Sequence, residues 1–357
     1  EARALNTNLS HNVELDDVVN CFVANNSVNT TLQISGSAGF DFRNISSSNI
    51  INNSAIGNIT YGCSFAISNK NNFTENYVWS GGNMGYTSSS SHNNILINNT
   101  GVSGTWHAFT LQGDNYTLIN NTGTSDSGIG LGISVGEGFV LINNTGMSDV
   151  GPGIYVYSVQ NVSLEYNTGI SNSGNGFRLG TVNNSYISGM NGTSRISKGN
   201  GSFFRDVRNV TIADSYFNGS NDVGFDPDTS PGTHNLTFIN VTYNSSKEVV
   251  SSGNELTRKW YYKAYVNDSG GNLVPGADVV AYNKSGSMQF NITTGSDGWT
   301  NMTNITEYVN IGGTQYHYSN YTMNASNGSD RDSHYYNVTI EENNLSDLFT
   351  FDFTPPV

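Results

Sequence analysis

The sequence predicts an all-β protein, a parallel β-helix followed by a smaller β-sandwich, and three observations carry that prediction. An asparagine recurs about every 23 residues, at Asn26, Asn53, Asn76, Asn99, Asn121, Asn144 and Asn167, and a fixed period of that size marks a solenoid whose repeat is one coil. An apolar residue stands three positions before it: Val23, Ile50, Phe73, Leu96, Leu118, Leu141 and Leu164, continued by Ile187, Ile212 and Phe238 where the asparagine has lapsed. A second apolar column follows the asparagine by ten positions, at Cys63, Tyr86, Phe109, Leu131, Ile154, Phe177 and, one long coil later, Phe225.

Each element follows from these columns. Phe65, Leu111, Ile133, Val156 and Leu179 repeat the inward phase two residues after the second column. Alternate residues of a strand share a face, so each pair reads as a short strand with its apolar side inward. About ten coils stacked about 4.8 Å apart make a rod roughly 45–50 Å long. The asparagine column is expected at a corner, because Asn tolerates a left-handed backbone and stacked amides can bond along the rod. Gly101, Gly123, Gly146 and Gly169, two residues later, are expected in the same turn.

The phase fades after Val250. The chain is therefore divided into a β-helix over 1–250, a linker over 251–257 and a sandwich over 258–357. In the last part, Trp260–Val266 and Ala277–Tyr282 alternate as strands. Asp268-Ser269-Gly270-Gly271-Asn272 and Gly295-Ser296-Asp297-Gly298 read as turns between strands.

Composition narrows partners and compartment. A net charge of −14 on 357 residues disfavours nucleic acid and anionic membranes. No stretch of the sequence is apolar enough to span a membrane. About thirty Asn-X-Ser/Thr triplets occur, which points to an N-glycosylated extracellular protein of the cell surface. The selected acceptors are Asn98, Asn120, Asn143, Asn161, Asn183, Asn209, Asn235, Asn267, Asn291 and Asn337. Several immediately precede a ladder asparagine, where alternation turns them outward. Cys21 and Cys63 are either a disulfide stapling the first coils or two buried thiols. A start at Glu1 suggests a processed terminus, and Phe353-Thr354-Pro355-Pro356-Val357 suggests a linker to further modules.

No catalytic constellation is legible. Asp114, Glu137, Asp149 and Glu165 are scattered in sequence, whereas glycoside hydrolysis needs two carboxyl groups at one cleft. His11, His92, His107, His234, His317 and His334 have neither zinc nor triad spacing. Asp222, Asp226 and Asp228, one coil after Arg205, Asp206 and Arg208, form the one candidate metal site, for calcium held by oxygen ligands. No cofactor is otherwise required. Tyrosines gather in the second domain (Tyr261, Tyr262, Tyr265, Tyr316, Tyr318, Tyr321, Tyr335 and Tyr336), where aromatic faces could stack on sugars or on a partner.

The coil pattern, in Leu118-Ile119-Asn120-Asn121-Thr122-Gly123 and Gly128-Ile129-Gly130-Leu131, resembles the right-handed parallel β-helix repeats of the pectin-lyase-like superfamily, including archaeal cell-surface proteins, over roughly residues 10–250. Polygalacturonase-type motifs (Asn-Thr-Asp, paired Asp, Gly-His-Gly, Arg-Ile-Lys) are missing. Val274-Pro275-Gly276-Ala277-Asp278-Val279 and the later Thr294–Gly298 resemble carboxypeptidase-regulatory-like and transthyretin-like sandwich modules, which implies an accessory Ig-like domain. The resulting expectation is a non-enzymatic, self-assembling surface-layer, sheath or filament subunit. The alternatives are an adhesin contacting surface glycans or other envelope proteins and, last, a diverged polysaccharide lyase or hydrolase.

Overall fold

A computed structural model describes residues 13–30, 38–58, 60–196, 198–227, 232–338 and 343–352. Strands account for nearly all of its regular structure, with one three-residue 3-10 turn at Ser245–Lys247. About ten coils stack as a parallel β-helix. Nine successive coils each contribute one strand to each of three sheets, and the next reaches the third sheet only through the isolated bridge of Thr242 to Tyr216. Phe109–Gln112, Thr117–Ile119 and Thr122–Ser125 form one coil, and Leu131–Glu137, Val140–Ile142 and Thr145–Ser148 form the next.

The register confirms the first apolar column residue by residue. Val23, Ile50, Phe73, Leu96, Leu118, Leu141, Leu164, Ile187, Ile212 and Phe238 pair in succession along the second sheet, and all are buried. The other column slips at its end. Phe177 pairs with Ser202, and Ser202 with Val223, whereas Phe225 pairs with Phe204 in the companion phase. Two coils, of 25 and 21 residues, separate Phe177 from Val223, where the sequence suggests one long coil ending at Phe225.

The asparagines stack as expected, although the corner geometry differs. The left-handed residue is the one before the ladder, at Asn25, Asn52, Glu75, Asn98, Asn120, Asn143 and Tyr166 (φ between 51° and 59°). The ladder asparagines themselves are buried just past the turn. Each Oδ1 accepts both the backbone N–H and the Nδ2 of the preceding coil's asparagine, as Asn121 does from Asn99 at 2.9 and 3.0 Å. Each Nδ2 from Asn53 onward reaches back to a carbonyl, as Asn121 does to Leu96 at 2.8 Å. The chain of amide bonds runs unbroken from Asn26 to Asn167. It satisfies donors that a sharp corner would otherwise strand in a dry core.

The glycines also play another part. Gly101, Gly123, Gly146 and Gly169 lie inside third-sheet strands and face inward. A Cβ on Gly123 would sit 2.1 Å from the Gly130 carbonyl oxygen, and one on Gly146 2.2 Å from that of Gly153. They are glycine because opposing backbone approaches, not because the turn demands it. Next to them runs a buried serine column that the sequence reading passed over. Ser125, Ser148 and Ser171 each donate to a carbonyl of the previous coil, and Ser125 and Ser171 also accept an N–H three residues on.

The cysteines are free and buried. Val13 pairs with Phe40 and Phe40 with Cys63, so Cys63 lies two coils above the coil that holds Cys21. Two coils rise about 10 Å, beyond the Cα separation of about 7 Å that a disulfide spans. The staple is ruled out by geometry.

No linker separates the two parts. Glu255–Asp268 is one 14-residue strand. It enters as the next rung of the second sheet, with Leu256 opposite Leu236 and Arg258 opposite Phe238. It continues into the C-terminal module, pairing antiparallel with Thr303–Ile311 and parallel with Asn344–Phe351. A second, four-stranded antiparallel sheet is formed by Met288–Thr293, Asp278–Tyr282, Tyr321–Asn327 and Asp330–Tyr336. Trp260, Tyr262, Val266, Val279, Met323 and Phe349, drawn from both sheets, share one core.

Arg258 therefore ends the apolar column, wholly buried, and the junction is built around it. Its guanidinium lies 4.3 Å from the Tyr243 ring centre and 4.9 Å from that of Trp260, with Nε 3.5 Å from Glu307. Glu307 also accepts from the Trp260 indole at 2.7 Å. Glu248 accepts from Tyr243, from Tyr308 at 2.6 Å and from Asn310 at 2.6 Å. Burial raises the Glu307 carboxyl, with Arg258 opposing it, and raises the Tyr308 phenol. The end of the helix core is closed by charge and aromatic rings rather than by aliphatic side chains.

Candidate functional site

The outward residues of the first sheet supply the main chemical feature. Alternation along Ile154–Gln160 and Phe177–Ser188 buries Ile154, Val156, Phe177 and Leu179 and turns Tyr155, Tyr157 and Arg178 outward. Register then aligns Tyr155, Arg178 and Phe203 on three successive coils, and beside them Tyr157, Gly180 and Arg205. The Arg178 guanidinium is held between two rings, 4.8 Å from the centre of Tyr155 and 5.4 Å from that of Phe203. Its Nε is buried without a hydrogen-bond partner among the described residues. Tyr155 and Tyr157 lie 5.6 Å apart and lean over Gly180, where a Cβ would come within 2.9 Å of Tyr157. Arg205 Nε is 3.6 Å from Asp226. Burial raises the Tyr155 phenol, partly offset by Arg178, so the ring stays neutral while the arginines carry positive charge.

A groove of about 340 Å³ adjoins this platform at the next corner, lined by Asp114, Glu137, Ser158, Gln160, Thr181 and Asn183 among others. Asp114 and Glu137, far apart in sequence, stand on adjacent coils. The Glu137 N–H donates to Asp114 Oδ1 at 3.0 Å, and Gln160 donates to Glu137 at 2.8 Å. His92 Nδ1 lies 3.0 Å from Asp114 on the other side. Guanidinium donors beside aromatic faces suit a sugar that carries an anionic group. The groove adds acceptors for hydroxyls.

The expected metal site is not assembled in the described part. The Asp222 carboxylate is buried and accepts from the Gly219 N–H at 3.0 Å and the Asn244 N–H at 2.8 Å, with Lys247 at 3.4 Å. Asp226 turns to Arg205 instead. Asp228 lies outside the described residues. Among the described residues no three His, Cys, Asp or Glu side chains converge as metal ligands.

The sequon candidates fall on distinct features. Asn98, Asn120 and Asn143 are exposed at the corner between second and third sheets, with left-handed backbones. Asn161, Asn209 and Asn235 are exposed and left-handed at the corner between first and second sheets. Asn183 and Asn267 are half-buried, and Asn291 and Asn337 are exposed. Of the second-domain tyrosines, Tyr262 and Tyr321 are core, Tyr261, Tyr265, Tyr318 and Tyr336 are half-buried, and Tyr316 and Tyr335 are exposed. Among the described residues, no helix is long and apolar enough to cross a membrane.

No protein-family model matches this chain, and no curated protein does. Solved structures with a similar fold are the A-module of mannuronan C-5 epimerase AlgE6 from Azotobacter vinelandii and tailspike protein 2 of an Escherichia coli O157:H7 bacteriophage. The epimerase module is 12% identical, with a TM-score of 0.35, over 65% of this chain and 75% of that one. The full-length tailspike is 9% identical, with a TM-score of 0.28, over 92% of this chain and 65% of that one. The enzymatically active domain of bacteriophage CBA120 tailspike protein 2 is 10% identical, with a TM-score of 0.28, over 92% and 72%. These neighbours correct the expectation that the chain is not an enzyme, because the structures sharing its β-helix include an epimerase and an enzymatically active tailspike domain. Missing polygalacturonase motifs bear on one kind of site only.

Proposed function

We propose that this protein is an extracellular, N-glycosylated rod that serves as a rigid, self-assembling scaffold at the cell surface. The observation that carries the reading is mechanical continuity. A buried amide ladder ties seven coils together, and one 14-residue strand carries the stack into the C-terminal module without a hinge. Exposed sequon asparagines at the corners support the glycosylated reading, since glycans on them would line the edges of the rod. Electron microscopy of the purified protein tests this. Ordered filaments or sheets are expected, and dispersed single rods at every concentration and ionic condition would refute it.

A second reading is favoured by the first-sheet platform: the same rod binds an acidic saccharide across Tyr155, Arg178, Phe203 and Arg205. Binding to uronate-containing and sulfated glycans on an array is the test. Loss of that signal in Arg178→Ala, with unchanged melting, is expected. An array without signal would end it.

A further inference from the structure

We propose that the third sheet is the face through which two copies of this chain pair side by side. The inference rests on the scaffold reading and names its contact surface. The sheet has nine strands, from Ser27–Thr30 to Tyr216–Asn218. None of them contains an Asp, Glu, Lys, Arg or His: they read SVNT, SAIG, YVWS, TGVS, TGTS, TGMS, TGIS, NGTS and YFN. On a chain of net charge −14, this is a long surface on which a second copy meets no like charge.

Its outward residues form two ranks. Thr100, Thr122, Thr145 and Thr168 align in one, and Ile56, Trp79, Val102, Thr124, Met147 and Ile170 in the other. The hydroxyl rank leaves hydrogen-bonding capacity and the apolar rank leaves area that water solvates poorly. Two such faces share one pitch of about 4.8 Å, so ridges of one seat between ridges of the other along the whole length. Another copy of the chain matches that pitch by construction.

Area supports the same occupant. Nine rungs at about 4.8 Å and four residues at about 3.3 Å give a face of roughly 43 by 13 Å. Two such faces total about 1,100 Å², just above the roughly 1,000 Å² expected of a specific interface. That size fits a weak pair that repetition in a lattice would reinforce. Asn98, Asn120 and Asn143 stand on the adjoining corner, so glycans there project beside the face.

Sedimentation of the purified protein up to high-micromolar concentration tests the proposal with two charge insertions. Thr124→Lys, at the middle of the apolar rank, is expected to weaken self-association by at least about tenfold without changing the melting temperature. Val140→Lys, outward on the second sheet, is expected to leave association intact. The opposite pattern would overturn the assignment of the face while leaving the scaffold reading standing. A monomeric unaltered protein would also overturn the assignment. Ordered arrays in micrographs of native material would then separate that failure from failure of the scaffold reading.

Discussion

Replacing Asn121 with alanine is the most direct probe of what holds the coils together. The change removes the acceptor of the Asn99 N–H (2.9 Å) and the donor to the Leu96 carbonyl (2.8 Å), and breaks the amide bonds to Asn99 and Asn144. Both backbone partners lie in the dry interior, so neither regains water. An unsatisfied buried group costs about 1–3 kcal/mol, so the pair gives roughly 2–6 kcal/mol. At about 2–4 °C per kcal/mol, the melting temperature should fall by roughly 4–24 °C. The control is Asn120→Gly, one residue earlier. It keeps the left-handed backbone and alters an exposed amide, so it should stay within about 0.5 kcal/mol. Circular dichroism melts of unglycosylated protein compare the two. Equal shifts would refute the reasoning, because stability would then not depend on the buried ladder.

Other perturbations have defined outcomes. Gly123→Ala drives a Cβ into the Gly130 carbonyl at 2.1 Å and should cost about 1–3 kcal/mol or more in urea unfolding. Arg258→Ala leaves Glu307 as a buried charge without its partner and should cost about 3–5 kcal/mol by the same measure. Burial holds Glu307 above its ordinary 4.5, against the pull of Arg258. A raised folded value means that its favourable contribution is complete below 4.5 and is lost as pH rises through the folded value. Glu307→Gln should therefore flatten stability against pH just above 4.5, and an unchanged profile would contradict the assignment. Thiol titration without reductant should find Cys21 and Cys63 unreactive when folded and both free after unfolding.

Much of the β-helix was legible because three columns keep one period, and register along a parallel stack leaves each inward position little freedom. The ladder asparagines were found for the right physical reason in part. Amide stacking is real, but the left-handed residue is the neighbour, as Asn120 is to Asn121. A column seen in sequence cannot say which side of a corner it occupies. Gly123 misled similarly, since a close approach by Gly130 from across the coil leaves no local signature. The boundary at 251–257 failed because a strand changing partners from Leu236 to Asn344 looks like a change of domain.

The aromatic and arginine platform on the first sheet was invisible for another reason. Tyr155, Arg178 and Phe203 are separated by whole coils and meet only through register. Arg258 breaks the apolar pattern just where the stack ends, and a charged residue in an inward column was the available signal for the cap.

The proposed scaffold makes these chains rigid units of a repeating surface assembly. Cryo-electron tomography of the native cell surface tests it most directly. The account predicts stiff rods in register, with a core of roughly 48 Å for about ten coils, repeated in a lattice or filament, with glycan density along the corners that carry Asn98, Asn120 and Asn143. Isolated rods without any repeat, or units that bend at the junction near Glu255, would contradict it.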